Sequence, residues 1–353
     1  MRWLLSFVAF ASLTMTVHAA SFVCVSKGPE KQIQVFKLDE AGGLTAVQAV
    51  DVAGSPGSLA TDPGRRFLYA SIRTTNQLAS FRIDPHTGKL SAIGTAELAQ
   101  GDNAAFVGTD RTGRWLLSAS YSGGKVVVHR LGDDGSIESP SVQTVTTAKT
   151  AHSVLMDRTN KLVLVPHVAP NTIFQFHFNP ATGQLTEAGK VAGGAPGAGP
   201  RHLALHPRRD VAYSSDEQGS SITGYRVDAD SGLTAFQTLS TLPADYKGNN
   251  STAEVKIHPN GKFVWVSNRG HDSLAGFAIN PETGLVSPLG QTPTEKTPRS
   301  FEIDPSGRFI FGAGEGSGKL AVFKVDPTTG ALERIQTYEV GKSLTWVMAI
   351  DSQ

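Results

Sequence analysis

Five polar stretches between residues 150 and 301 carry side chains suited to acid–base and anion chemistry. They are "TAHSV" with His152, "GPRHL" with Arg201, "SDEQG" with Glu217, "SNRGHDS" with Arg269 and "TPRSF" with Arg299. An imidazole or a carboxylate placed beside a reacting group can take a proton and later return it. A guanidinium can hold a carboxylate, a phosphate or a developing oxyanion through two parallel N–H donors. His167 in "VPHVAP", Glu254 in "TAEVK" and His271 in "SNRGHDS" form a second set that could touch a ligand. Each has a structural alternative: a strand-end Arg beside a Glu is often a plain ion pair, and His271 with Asp272 could cap its own turn. Other chemistries lack their residues. The single cysteine, Cys24, rules out an internal disulfide and a Cys-rich metal site. There is no His-x-His, His-Glu-x-x-His or calcium-loop spacing, no G-x-S-x-G elbow and no phosphate loop. No metal and no cofactor is expected.

What could bring these residues together is a repeat. Two turn signatures alternate along the chain. The first reads Asp-Pro-x-Gly-Arg, as in "TDPGRRFLYAS", "IHPNGKFVWVS" and "IDPSGRFIFGA"; the second reads Asp-Pro-x-Thr-Gly, as in "IDPHTGKL", "FNPATGQL" and "VDPTTGAL". Pro presets φ, Asp caps through its side chain and Gly takes the positive φ, so both are turns. The second recurs seven times. Between the turns lie short apolar runs rich in β-branched and aromatic residues, four per repeat, for example "SFEID", "FIFGA", "KLAVFKV" and "ALERIQTYEV". Four strands per repeat is a propeller blade. The fold expected is all-β: a seven-bladed β-propeller with four antiparallel strands per blade. The first repeat, starting at "SFVCVSK", lacks its opening strand, and "SLTWVMAI" at the other end is spare. Pairing the two would close the ring and leave no open sheet edge.

Within a meandering blade, the first-to-second and third-to-fourth strand turns share one face of the disc. The regular turns therefore fall on one face and the variable polar loops on the other. The loops between second and third strands, and the connections that enter each first strand beside the axis, converge on one mouth. His152, Arg201, Glu217, Glu254, Arg269 and Arg299 all reach it on this reading. His202, next to Arg201, is expected to point away into the space between blades, by strand alternation. A funnel at the axis of a closed β-structure is a usual ligand site.

"AHSV", "GPRHLALHP", "DEQGSSITGY", "AEVKIHPNGKFVWVSNRGHDSLAGF" and "PRSFEIDPSGRFIFGAGEGSGKLAVF" together resemble the seven-bladed propeller lactonases, which include propeller-type 6-phosphogluconolactonases and the carboxymuconate-lactonizing enzyme. The resemblance spans nearly all of the chain after residue 20. It implies a metal-independent hydrolase that opens a sugar lactone. By motif it assigns catalysis to His152, Arg201, Glu217 and Arg269, with Glu217 or His152 as the base and arginines at the oxyanion or at an anionic substituent. Arg299, His167, Glu254 and His271 are expected to bind substrate. A cycloisomerase that forms a lactone from a muconate-like diacid, and a non-catalytic propeller that binds a ligand or a protein, remain open alternatives.

A net charge of +1 over 353 residues, with no basic run, offers nothing to nucleic acid. Residues 1–20 read as an export signal, with Arg2, an apolar run over 4–16 and the small-x-small Val17-His18-Ala19. The expected organisation is a removed leader, 1–20, followed by one propeller domain, 21–353, that is periplasmic or secreted. Its expected partner is a small-molecule lactone, with no membrane association after cleavage and at most weak self-association.

Overall fold

A computed structural model of the chain describes residues 21–351, all in strands, turns and loops. The leader reading lies outside the described residues. Seven four-stranded antiparallel sheets form the seven blades of a ring. Blade 5, from axis to rim, is Pro200–Leu205, Val211–Asp216, Ser221–Asp228 and Gly232–Ser240. Blade 1 takes its innermost strand, Leu344–Asp351, from the far end of the chain. That strand pairs antiparallel with Ser21–Lys27 from Ser21↔Asp351 to Lys27↔Leu344. The spare strand thus closes the ring, and its Leu344, Trp346, Val347 and Ile350 are buried.

Both turn signatures have a packing cause. At the first, the aspartate binds the strand that follows. Asp62 Oδ1 accepts from the Arg66 and Phe67 amides at 2.7 and 2.8 Å, and Asp110 and Asp157 repeat the pattern. At the second, the glycine sits against the preceding blade. Gly183 has φ 75° and faces Trp115 of blade 3, where a Cβ would meet the indole at 2.5 Å. Gly88 on Phe22, Gly135 on Phe67 and Gly330 on Phe263 repeat that contact. Only glycine combines the left-handed backbone with so close an approach. Aromatic residues that open second strands are buried by it, so each blade is stapled to its neighbour through the residues that make its turn.

Candidate active site

The repeat register explains which residues reach the axis. Five positions before the turn Asp or His that ends each innermost strand stand Gly57, Ala105, His152, Arg201, Ala253, Arg299 and Trp346. All but Ala253 line one cleft at the mouth, with Arg73 beside them. Six positions after the first aromatic or aliphatic residue of the second strand, four blades place Arg73, Glu217, Arg269 and Glu315. The cleft has about 10 Å³ of free volume, enough for about one water molecule.

His152, Arg201, Glu217, Arg269 and Arg299 are brought together. Glu217 lies between two guanidiniums: its Oε2 is 3.2 Å from Arg201 Nε and its Oε1 is 2.9 Å from Arg269 Nη2. Arg201 is fully buried; its Nη1 donates to the Ala253 carbonyl at 2.8 Å, and Arg269 Nη2 donates to the Thr252 carbonyl at 3.0 Å. Arg299 pairs with Glu315 at 3.4 Å. Burial would raise the Glu217 carboxyl, but Arg201 and Arg269 outweigh it and hold it low, so it is ionised at neutral pH. Burial, and then the Arg201 and Arg299 charges, push His152 well below the usual imidazole range, so it is neutral there. The Arg201 guanidinium is itself pushed down by burial and then by Arg269 and Arg299. An anion arriving between these cations relieves that repulsion.

The cluster is under-satisfied. Arg269 Nε, Arg73 Nε and, below the mouth, Glu254 Oε2 are buried without a hydrogen-bond partner, and Arg201 Nε and Glu217 Oε2 meet only each other, as an ion pair at 3.2 Å. Buried polar atoms are nearly always paired, so this concentration makes the mouth the candidate site.

Other expected residues lie elsewhere. His167 is not in the cleft. It ends its strand one position short of the mouth ring, where Val168 stands, and alternation turns it between blades. There it is fully buried, with Nδ1 on the Val165 carbonyl, Nε2 on Thr147 and its ring 4.4 Å from Phe174. His271 is turned onto its own loop, bonding the Ser273 hydroxyl at 2.8 Å with its ring edge-on to Tyr246. Glu254 lies one position deeper than the ring and meets His202 Nδ1 at 2.9 Å. His202 itself does not point away: a bulge between Pro200 and His202 breaks the alternation, and both Arg201 and His202 reach the axis. Arg73 and Trp346 were not anticipated. Arg73 shares its repeat position with Arg269, and that register is the signal that finds it; burial and then Arg299 lower its pKa.

A larger cavity, about 480 Å³, opens at the axis on the opposite face. Its aspartates, Asp62 and Asp110, are consumed as turn caps, and its Lys256 is tied to Glu302 at 2.9 Å. A floor of Phe106, His202 and Trp346, with ring centroids 5.5–5.7 Å apart, separates it from the mouth. Its Arg111 donates to the Asp157 carbonyl and its Arg65 lies 3.8 Å from Asp351, so the cluster in which His, Glu and Arg side chains face one another is on the mouth side. Among the described residues no group of three or more His, Cys, Asp or Glu is arranged to hold a metal ion.

Comparison with known proteins shows the family and the fold. Residues 20–349 match the family described as "Lactonase, 7-bladed beta-propeller". The chain is 36% identical to the 6-phosphogluconolactonase of Pectobacterium carotovorum over 334 residues, 93% of this chain and 98% of that one. It is 36% identical to the 6-phosphogluconolactonase of Yersinia pestis over 328 residues, 92% and 96% of the two chains. The solved periplasmic gluconolactonase of Pseudomonas aeruginosa superposes with a TM-score of 0.87 at 26% identity, covering 95% of this chain and all of that one.

Proposed function

Because the chain belongs to the seven-bladed β-propeller lactonase family, we propose that it is a lactone hydrolase that opens a sugar lactone at the mouth by a water attack needing no metal. The observation that carries this is the neutral His152 beside a one-water cleft whose other walls are the guanidiniums Arg201, Arg299 and Arg73. Both oxygens of Glu217 are held by arginines. His152 is bonded to protein through its ring Nδ1 only and lines the cleft, so it is the base in this reading. It removes a proton from water as the oxygen attacks the lactone carbonyl. The carbonyl oxygen becomes an oxyanion facing Arg201 and Arg269, which Glu217 keeps aimed. Collapse breaks the ring C–O bond, and His152 gives its proton to the leaving alkoxide. Arg299 and Arg73 are placed to receive an anionic or strongly polar substituent.

The substrate class is a hexonolactone, in line with the names of the relatives. Export is part of the proposal: residues 1–20 have the features of a leader, and a structural relative is periplasmic. An exported enzyme meets unphosphorylated lactones more than sugar phosphates. A panel of phosphorylated and unphosphorylated sugar lactones, followed by proton release, tests the function. Turnover of at least one, falling by about 10²–10⁴ in kcat in His152→Gln, is expected. No turnover across the panel would sink the lactonase reading.

A further inference from the structure

Below the cleft a carboxylate and two imidazoles stand in line. Glu254 Oε1 lies 2.9 Å from His202 Nδ1, and His202 Nε2 lies 3.2 Å from His152 Nδ1. All three are nearly inaccessible to solvent, with relative exposures of 3%, 1% and 5%. His202 is wedged among Phe106, Trp346 and His152, which gives its ring little freedom to turn over.

The proton positions along this line follow from its ends. An ionised Glu254 can only accept, so His202 carries its proton on Nδ1. Its Nε2 is then bare. An independent contact requires the same thing: Arg201 Nη1 lies 3.3 Å from that Nε2, and a guanidinium can only donate. The one lone pair of the bare His202 Nε2 is shared between Arg201 Nη1 and His152 Nδ1, and a bare His152 Nδ1 would set lone pair against lone pair at 3.2 Å, so the proton sits on His152 Nδ1. His152 Nε2 is left as a lone pair on the side of the ring toward the cleft that His152 lines.

We propose that Glu254 and His202 are positioning residues that hold His152 in its Nδ1–H tautomer, presenting a bare Nε2 to the water of the mouth. The reverse arrangement puts an N–H of His202 against an N–H of Arg201 and faces a lone pair with a carboxylate. The Val255 amide donates to Glu254 Oε1 at 3.2 Å, which fixes the oxygen that His202 meets. Electrostatics agree. Burial would raise Glu254, but the His202 N–H bond and the Lys256 and Arg201 charges oppose it and its pKa is lowered, while burial brings His202 down to about 4 and keeps it neutral. The role of the bare Nε2 as proton acceptor rests on the lactonase reading; the tautomers do not.

The test is therefore spectroscopic first. Long-range ¹H–¹⁵N correlation on uniformly labelled full chain at pH 7 reports which nitrogen of each imidazole is protonated, with His152→Gln and His202→Phe assigning the signals. Nδ1–H on both His152 and His202 is expected, and Nε2–H on His152 in the wild type overturns the proposal. His202→Phe keeps the aromatic packing but removes the acceptor, so the His152 ring is expected to shift toward Nε2–H. On a lactone that is turned over, kcat should then fall at least 10²-fold with KM within about threefold, since a wrong tautomer of a catalytic imidazole costs on the order of 10⁴. Unchanged kcat would overturn the relay. Should that variant not fold, Glu254→Gln serves instead: the Val255 amide keeps the amide oxygen facing His202, so the tautomers persist while kcat falls about tenfold or more for want of the charge. A kcat equal to wild type in Glu254→Gln counts against the relay. If the wild type shows the expected tautomers but opens no lactone, the relay stands and the lactonase reading fails alone.

Discussion

The regular-turn face and the mouth face are built from the same residue types and use them in opposite ways. On the turn face His206 is fully occupied: its Nδ1 accepts from the Arg208 and Arg209 amides at 3.1 and 3.0 Å, and its Nε2 donates to the Gly261 carbonyl of the next blade at 3.0 Å. His258 makes the equivalent link to Gly307 at 2.8 Å. At the mouth the His152 ring bonds protein through Nδ1 alone, and the guanidinium Nε atoms of Arg73 and Arg269 have no hydrogen-bond partner. Saturated polar groups make a joint. Unsaturated ones, held at a closed and stapled axis, are free to meet a ligand. The difference teaches that residue type alone does not mark the candidate site in this ring; the state of its hydrogen bonds does.

If the turn face and the ring closure carry stability, damage there should be thermodynamic. The largest effect expected is from deleting residues 343–353. That removes the innermost strand of blade 1 and exposes Ser21–Lys27 as an unpaired edge at the axis. Loss of cooperative unfolding by circular dichroism, with association of the truncated chain, is the expected outcome. A melting transition at the wild-type temperature would mean that closure contributes nothing.

If the mouth carries chemistry, damage there should be kinetic. Arg269→Lys keeps a positive charge but loses the planar fork that reaches both Glu217 and the Thr252 carbonyl. A fall in kcat per folded molecule on the order of 10²–10³, about 3–4 kcal/mol of barrier, is expected; wild-type kcat per folded molecule with lowered stability to urea would make the Arg269–Glu217 pair structural instead. Loss confined to KM would instead place the contact equally in ground and transition states. Wild-type kinetics in both Arg269→Lys and Glu217→Gln would move the active site elsewhere.

Gly183→Ala is the mirror image. It forces a side chain into a left-handed backbone and against Trp115. A loss of about 2–4 kcal/mol in unfolding free energy is expected, with kcat per folded molecule unchanged. A drop in kcat without a drop in stability would blur the division between the faces.

Much of this was legible in the sequence for a definite physical reason. Turn chemistry is local, so Asp-Pro-x-Gly-Arg and Asp-Pro-x-Thr-Gly announce blades, their number and the face on which they lie. Convergence of His152, Arg201, Glu217, Arg269 and Arg299 followed from topology alone. Side-chain direction at strand ends did not follow. The bulge between Pro200 and His202 is one of a set that recurs where innermost strands begin, as at Pro56 and Pro298, and simple alternation overlooks it; it turns His202 toward the axis. His167 misses the mouth by one residue of register. Arg73, in the unremarkable loop "SIRTTNQ", needed the blades to be superposed before its equivalence to Arg269 emerged.

Two buried aspartates give the finest test of the comparison. Asp157, in the turn face, accepts from Thr159, Leu162 and Lys161; burial would raise it, but those bonds win and its pKa is lowered. Asp216, in the strand end beside Glu217, is bound only by the hydroxyls of Ser214, Ser221 and Thr223, and burial raises it to about 6. The signs of their linkage are opposite. A group with a depressed folded pKa stabilises above its unfolded value, and that contribution is lost as pH falls. Asp216, with a raised pKa, favours folding below about pH 4, and this is lost as pH rises through about 6. Asp216→Asn stays neutral throughout, and its amide can donate to hydroxyls that rotate to accept. The variant should therefore gain on wild type by about 1 kcal/mol between pH 5 and pH 7 in urea unfolding. Parallel stability curves over that range would mean that the hydroxyls hold Asp216 as firmly as the turn amides hold Asp157, and that the strand end beside the mouth is as well satisfied as the turn face.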